Sequence, residues 1–204
     1  MELTFRPATA VDSDLLADLA LGEAEQETTR VAMALYGIPE FGVARDLFRL
    51  LWRAGANWRH SQIVSIDATP AGFLQTEGSS VRVTPRIAIT ALLQLGPIRL
   101  LKMRSRIALN KRVTPEKPAG SCVISEIHVA PEFRGRGLGE AIVERAEETA
   151  RDRGLSTLAL HTLATNPARR FYERCGFELA GERSDPEFER ITGCPGNVLY
   201  VKHV

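Results

Sequence analysis

Cysteine is scarce in this chain, and the few cysteines are far apart. Cys122, Cys175 and Cys194 form no Cys-x-x-Cys pair, so the sequence contains neither a zinc-site spacing nor a disulfide framework. We therefore expect no metal ion, and unpaired thiols of this kind are typical of a reducing, cytoplasmic location. The amino-terminal residues also lack the basic and then apolar region of a secretory signal.

The chain has almost no net charge and no long apolar run. Its 26 basic and 25 acidic residues leave a formal net charge of +1, which gives no general reason to expect nucleic acid as a partner. Residues 87–101 are too short for a transmembrane segment and already contain Arg99. A chain of 204 residues, with 44% hydrophobic and 25% charged residues, has the composition of one globular domain, with or without an insertion.

The sequence does contain a glycine-rich turn between a predicted strand, residues 122–130, and a predicted helix, residues 138–153. Successive backbone N–H groups at such a turn surround an anion, with the helix dipole behind them. Its spacing matches neither the dinucleotide motif G-x-G-x-x-G nor a P-loop. We predict a phosphate site here; the alternative is a glycine-rich turn that only connects the strand to the helix. The residues of the turn are Arg134, Gly135, Arg136, Gly137, Leu138 and Gly139.

A second distinctive segment follows the next predicted strand, residues 157–163. From Asn166 to Phe177 it reads Asn-Pro-Ala-Arg-Arg-Phe-Tyr-Glu-Arg-Cys-Gly-Phe. The two segments are separated by one helix and one strand. The order strand, helix, strand predicts a right-handed parallel crossover between them.

Together these segments resemble the GCN5-related N-acetyltransferase (GNAT) family. The turn matches the family's Arg-x-x-Gly-x-Gly acetyl-CoA loop, and the second segment matches its Asn-x-x-Ala-x-x-Phe-Tyr-x-x-x-Gly-Phe helix. The resemblance is strong over residues 121–181 and weaker elsewhere. It implies an α/β fold of the acyl-CoA N-acyltransferase type, with a mixed, mostly antiparallel central sheet that is splayed at the cofactor. It also implies a single GNAT domain over residues 1–204.

The resemblance further implies direct acetyl transfer from acetyl-CoA to an amine in a ternary complex, without a metal. The acceptor is a small amine or a peptide N-terminus, and a homodimer is left open. Tyr172 would protonate the departing thiolate, and Asn166 would bind the pantetheine arm or nearby backbone. The family has seven positions from this Asn to the Tyr and this chain has six, so either the loop is one residue shorter or Thr165 takes the place of the Asn.

The remaining implied contacts are made by backbone groups. The strand before the turn would pair with pantetheine like an added strand, and one of its N–H groups would polarise the thioester oxygen. The turn would hold the pyrophosphate through the N–H groups of residues 134–139. The strand residues concerned are Ile127, His128 and Val129.

Amine acetylation needs a base, and three side chains are candidates. Period-two geometry places Glu126 and His128 on one face of the strand, together with Cys122 and Ile124. His161, on the next strand, occupies the position where ribosomal-protein N-terminal acetyltransferases carry a glutamate base, and its near-neutral pKa suits proton transfer. The alternatives are a surface ion pair for Glu126 and structural hydrogen bonds for the histidines.

Residues 78–120 form an insertion where the resembled family has a short connection. We predict a helix that is broken at Gly96-Pro97, and residues 98–113 carry six basic and no acidic side chains. Three interpretations stay open: packed helices with a solvated basic face, a lid that selects acceptors with negative charge, and an interfacial helix that contacts membrane or an acidic partner.

The flanking elements are predicted with less support. Strands are expected at residues 3–6, 63–66, 72–75, 177–182 and 197–202, and helices from about residue 13 and over 43–54; residues 23–39 stay unassigned, and 186–196 are expected to be irregular.

Two functions outside catalysis remain as alternatives. One is a regulatory module that binds CoA without turnover, and the other is an interaction protein that acts through the basic insertion.

Overall fold

The computed structural model describes residues 2–77 and 84–204. In these residues, strands from both halves of the chain form one sheet in the order β1-β2-β3-β4-β5-β7-β6. The start of the predicted insertion, residues 78–83, lies outside the described residues. The strands are β1 Leu3–Pro7, β2 Ser61–Ile66, β3 Thr69–Thr76, β4 Cys122–Val129, β5 Thr157–Leu163, β6 Glu178–Ser184 and β7 Gly196–His203.

Helices cover both faces of this sheet. Helix α5 begins directly after the glycine-rich turn, and α6 carries the predicted Phe171-Tyr172 pair. None of the helices in residues 2–77 and 84–204 is long and apolar enough to cross a membrane. The helices are α1 Ser13–Leu21, α2 Glu27–Tyr36, α3 Phe41–Gly55, α4 Pro85–Arg112, α5 Leu138–Asp152, α6 Arg169–Arg174 and α7 Pro186–Thr192.

The sheet opens between its two parallel strands. β4 pairs in parallel with β5 from Cys122↔Leu158 to Ile124↔Leu160, and the other neighbouring strands pair antiparallel. Beyond these pairs β4 continues to Val129 and β5 to Leu163, so the two strands diverge. The predicted mixed, mostly antiparallel and splayed sheet is therefore confirmed.

Three apolar clusters hold the elements together. The largest lies under α5, where the buried side chains of Leu138, Ile142 and Ala146 face β2–β5 and β7. On the other face, α1 and α3 cover Ile63 and Phe73. The third cluster joins α2, α4 and α7, and its buried members are Val31, Leu35, Leu109, Val113, Phe188 and Cys194.

The expected alternation of side chains along β4 is wrong at Ser125. β3 pairs with β4 at Gln75↔Glu126 and then at Thr76↔Ile124, so Ser125 is an extra residue in a β-bulge. The bulge shifts the alternation by one position. His128 therefore faces Phe73, with ring centroids 5.2 Å apart, while the side chains packed against the α5 core come from both predicted faces: Cys122, Ile124, Ile127 and Val129.

In the described part of the insertion, Pro85–Arg112 form one broken helix, α4. Its break is at Gly96, with φ of 74°, where we predicted it. The carboxyl-terminal end is packed, because Leu109 and Val113 are buried and Arg112 contacts Asp185 and Glu187 of the α7 region at 3.0 and 3.2 Å. The preceding turns expose large apolar side chains at Ile89, Leu92, Leu93, Ile98, Leu101 and Ile107.

Two segments differ from the sequence predictions. Residues 27–36 of the unassigned stretch form α2, which ends at Gly37 in the left-handed conformation. The connection expected to be irregular contains α7, whose Asp185 side chain accepts hydrogen bonds from the backbone N–H groups of Glu187 and Phe188. A carboxylate at this capping position satisfies helix donors that have no other partner.

Candidate active site

A cavity of about 570 Å³ lies between the glycine-rich turn and α6. Its walls come from the end of β4, the turn and the first residues of α5, with α6 opposite. We call it the donor cavity. Of the predicted cofactor residues, those that line it are Ile127, His128, Val129, Arg134, Gly135, Gly137, Leu138, Gly139, Asn166 and Tyr172.

The positions of the glycines in the turn favour glycine for two different structural reasons. Gly135 and Gly137 have φ of 73° and 79°, a region that L side chains enter only with strain. A Cβ at Gly139 would lie 2.8 Å from the Phe171 ring, so this glycine permits the close approach of α5 and α6. Arg136 is absent from the described lining of the cavity, and its guanidinium lies over the Phe133 ring, 5.6 Å from the centroid; its contact with the cofactor stays a prediction.

The backbone of β4 presents an open edge to this cavity. The Ala130 N–H donates to the Ala71 carbonyl at 2.9 Å, on the β3 side. Because successive residues of a strand direct their backbone groups to alternate edges, those of Ile127 and Val129 point into the gap between β4 and β5. Arg134 Nε donates to the Val129 carbonyl there at 3.2 Å. An extended ligand can pair with this edge.

Tyr172 lies at the inner end of the donor cavity. Its ring packs edge-on against Phe171 and Phe177, with centroids 5.4 and 6.0 Å away. Burial, with smaller contributions from the nearby Glu126 and Cys175, raises the pKa of the Tyr172 hydroxyl to about 12. The hydroxyl therefore remains a proton-bearing hydrogen-bond donor throughout the neutral range.

Asn166 lines the cavity, and its side chain is also part of the loop structure. Its Nδ2 donates to Thr162 Oγ1 at 2.7 Å, and its Oδ1 accepts from the Ala168 N–H at 2.9 Å. The alternative residue, Thr165, donates its hydroxyl to Cys194 Sγ at 3.2 Å. Of the two, the structure brings Asn166 to the cavity.

A second cavity, of about 460 Å³, shares Tyr172 with the first, together with Thr28, Ile127, His128 and Asn166. Glu126, His128 and His161 all line it, and we call it the acceptor cavity. His128 Nε2 and Glu126 Oε2 are 2.9 Å apart. The structure therefore brings all three candidate bases to the wall of one cavity, which includes Tyr172 and no residue of the glycine-rich turn.

His161 differs from His128 in its hydrogen bond. Its Nε2 lies 2.8 Å from the Pro115 carbonyl; since a carbonyl only accepts, Nε2 carries the proton and Nδ1 keeps its lone pair. Burial lowers the pKa of His161, and Lys117 lowers it further, against an opposing effect of the Pro115 carbonyl. The imidazole is therefore neutral at pH 7.

Several wall residues had no signal in the sequence. Phe171 and Arg174 lie in the recognised helix segment, but Thr28, Asn110, Thr114 and Asn197 come from α2, the end of α4 and β7. They are single polar side chains in segments without a motif, so only the folded topology brings them together. Within the described residues, no cluster of His, Cys, Asp or Glu that could hold a metal ion is found.

The fold and this pair of cavities define a protein of the acetyltransferase type. The sequence pattern of the Acetyltransferase (GNAT) family matches residues 39–177, more than half of the chain. The chain therefore belongs to the GNAT family.

Curated relatives match over short stretches. A stretch of 56 residues is 46% identical to an uncharacterized N-acetyltransferase of Methanocaldococcus jannaschii, covering 27% of this chain and 25% of that protein. Another of 59 residues is 41% identical to a streptothricin acetyltransferase of Streptomyces lavendulae, covering 28% and 31%. The matches thus span less than a third of either relative.

Solved structures match over nearly the whole chain. The PaiA N-acetyltransferase of Thermoplasma acidophilum in complex with coenzyme A has a TM-score of 0.58 at 13% identity, over 100% of both chains. An N-acetyltransferase of Staphylococcus aureus Mu50 has a TM-score of 0.62 at 13% identity, over 97% of this chain and 99% of that chain. At these identities the likeness shows the fold.

Proposed function

We propose that this protein transfers an acetyl group from acetyl-CoA to an amine while both substrates are bound. The observation that carries the proposal is the meeting of two cavities at Tyr172, one lined by the glycine-rich turn and the other by Glu126, His128 and His161. An amine in the acceptor cavity then faces a thioester in the donor cavity, so no acylated protein is needed. Membership of the GNAT family and the coenzyme A bound by the Thermoplasma relative support this assignment.

The donor cavity fits acetyl-CoA by its chemistry. The N–H groups of residues 134–139 and the start of α5 suit the pyrophosphate, and Arg134 and Arg174 add positive charge to the wall. The open backbone edge at Ile127 and Val129 suits the amide-rich pantetheine arm. An N–H on this edge would polarise the thioester oxygen.

Glu126, hydrogen-bonded to His128, is the base in this proposal. It takes a proton from the amine, whose nitrogen then forms a bond to the acetyl carbon while the carbon–sulfur bond breaks. The Tyr172 hydroxyl donates to the leaving sulfur. Because the pKa of Tyr172 is raised to about 12, whereas an ordinary thiol has a pKa of about 8.5, the hydroxyl acts mainly as a hydrogen-bond donor, and the thiolate is protonated fully once it reaches water.

The proposal is tested by measuring free CoA thiol with a panel of amines, peptides and aminoglycoside-like or streptothricin-like antibiotics. We expect at least one amine to raise CoA release above the rate of hydrolysis, with an N-acetyl product in the mass spectrum and intersecting initial-rate lines. Parallel lines would instead indicate an acylated protein. Binding of CoA without release by any amine would contradict the proposed activity and favour a regulatory CoA-binding module.

A further inference from the structure

We infer that the acceptor cavity selects amines that carry no anionic group, and that Asn110 of α4 takes part in this selection. The inference rests on the proposed acetyl transfer and adds the chemical class of the acceptor. It replaces the hypothesis of a basic lid, which predicts the opposite preference.

The first observation is the charge of the wall. Helix α4 carries seven basic and no acidic residues, yet it contributes the neutral Asn110 to the acceptor cavity, and the neutral Thr114 follows the helix. Among the described residues that line this cavity, Glu126 is acidic and none is a lysine or arginine. Of the two histidines in this wall, His161 is neutral and His128 is hydrogen-bonded to Glu126. A carboxylate of the acceptor would therefore be desolvated here without a lysine or arginine to pair with, which is costly.

The second observation is that Asn110 is held in place from both sides. The preceding residue, Leu109, is buried in the cluster with α2 and α7, and Val113 is buried one turn later. Arg112 contacts Asp185 and Glu187. A side chain on a helix fixed in this way is suited to discriminate between ligands, because its position does not adapt to the wrong one.

The third observation concerns hydrogen bonds at the same wall. Asn197 Nδ2 donates to Thr114 Oγ1 at 3.5 Å, and Thr114 Oγ1 donates to the backbone carbonyl of Asn110 at 2.7 Å. Within residues 2–77 and 84–204, no hydrogen bond of the Asn110 side-chain amide is found. This amide, which both donates and accepts, is available to a ligand.

These observations specify the acceptor. It is a small amine, or the end of a larger one, whose remaining part carries hydroxyl, amide or second ammonium groups. A second ammonium group meets no lysine or arginine among the described residues of this wall, and hydroxyl or amide groups match the Asn110 amide. A cavity of about 460 Å³ is within the range of small-molecule sites.

The test compares three five-carbon amines that differ only at the far end: cadaverine with an ammonium group, aminopentanol with a hydroxyl, and aminopentanoate with a carboxylate. We expect kcat/KM for the first two to exceed that for aminopentanoate by at least about 10-fold, equivalent to about 1.4 kcal/mol. Asn110→Lys should reduce this ratio at least about 5-fold, because it places a cation at the wall. The matched control is Ser105→Lys, which adds the same charge on an exposed part of α4.

Folding of each variant is checked by its melting temperature and CoA affinity. If Asn110→Lys does not fold, Asn110→Asp, which has nearly the same shape, should increase the ratio of cadaverine to aminopentanoate. Equal use of all three amines, or equal ratios in the Asn110→Lys and Ser105→Lys variants, would overturn the inference and leave the acetyltransferase proposal standing. If no amine of any class raised the rate of CoA release, the proposed function would be overturned, and the inference with it.

Discussion

The donor and acceptor sides of the cleft at Tyr172 are built in different ways. Most of the donor cavity comes from residues 127–140 and 166–174, which are close in sequence and supply many backbone groups. The acceptor cavity is lined by consecutive residues of β4 and β5, residues 124–128 and 160–163, and by one to three residues each from α1, α2, α3, α4, α6 and β7. Backbone N–H groups suit the CoA part of the donor, which is the same in every reaction. Discrimination between amine acceptors instead needs side chains from separate elements.

This difference also appears in what stabilises each side. The donor side is built on the large core under α5, while the wall formed by α2 and α4 depends on the small cluster with α7. Acceptor recognition should therefore be easier to change, by mutation, than donor binding. The following predictions separate the two sides, beginning with the residue at which they meet.

Tyr172→Phe should give the largest loss of activity. The ring keeps its contacts with Phe171 and Phe177, but the hydroxyl is lost, so we expect kcat to fall about 10²- to 10⁴-fold. CoA affinity, measured by titration calorimetry, should stay within about 3-fold, since packing and backbone contacts remain. The control is Tyr36→Phe, at a half-buried tyrosine outside both cavities. Unchanged turnover in Tyr172→Phe would show that this hydroxyl does not act in the reaction.

The next largest effect should distinguish the candidate bases on the acceptor side. Glu126→Gln keeps the shape of the side chain but removes its basicity, and we expect kcat to fall about 10²-fold or more. In His161→Gln we expect a loss of less than about 10-fold, because Nε2 of this histidine is occupied by the Pro115 carbonyl. The measurement is kcat of both variants at saturating amine and acetyl-CoA. The reverse ranking would make His161 the base.

Leu109→Ala should weaken binding of the amine on the acceptor side and leave binding of CoA on the donor side nearly unchanged. Leu109 is 2% exposed, and a truncation of this kind in a core costs about 2–5 kcal/mol of the free energy of unfolding. We expect a higher KM for the amine and nearly unchanged CoA affinity, because Asn110 is displaced and the turn is not. Ile142→Ala, in the core under α5, is the matched variant and should weaken CoA binding as well. An equal loss of CoA affinity in both variants would show that the donor and acceptor sides are coupled.

The same contrast explains how much of the molecule was predictable. The strand–turn–helix at residues 122–153, β5 with its exact bounds and the break at Gly96 follow from local patterns: glycine and proline positions, alternation and helical spacing. The splayed sheet and the Tyr172 segment were predicted from the resemblance to the GNAT family, which rests on two motifs in order. The turn, the start of α5 and the Tyr172 segment form most of the donor side.

The parts that were missed depend on long-range packing. The bulge at Ser125 leaves no signature in Cys-Val-Ile-Ser-Glu-Ile-His-Val, because it is required by pairing with β3. Helices α2 and α7 are short, and their apolar residues have a purpose only once Leu109 and Val113 pack against them. Asn110 and Asn197 are 87 positions apart in the numbering, so no local pattern could join them in one wall.

The smallest expected effect is on stability, and it tests whether the acceptor wall is docked as described. Because burial lowers the pKa of His161 in the folded protein below its ordinary value of about 6.5, the unfolded chain binds this proton more readily. The stabilisation from neutral His161 is therefore present above about pH 6.5 and is lost as the pH falls towards the lowered pKa of the folded state. Melting temperatures measured from pH 5 to 7.5 should fall more steeply with acid in the native protein than in His161→Gln. The segment that follows α4 helps to bury His161, and His161 donates a hydrogen bond to the Pro115 carbonyl of this segment. Equal slopes of melting temperature against pH in the native protein and His161→Gln would therefore mean that this segment does not pack over β5 in solution. The acceptor wall at Asn110 would then be wrong as described.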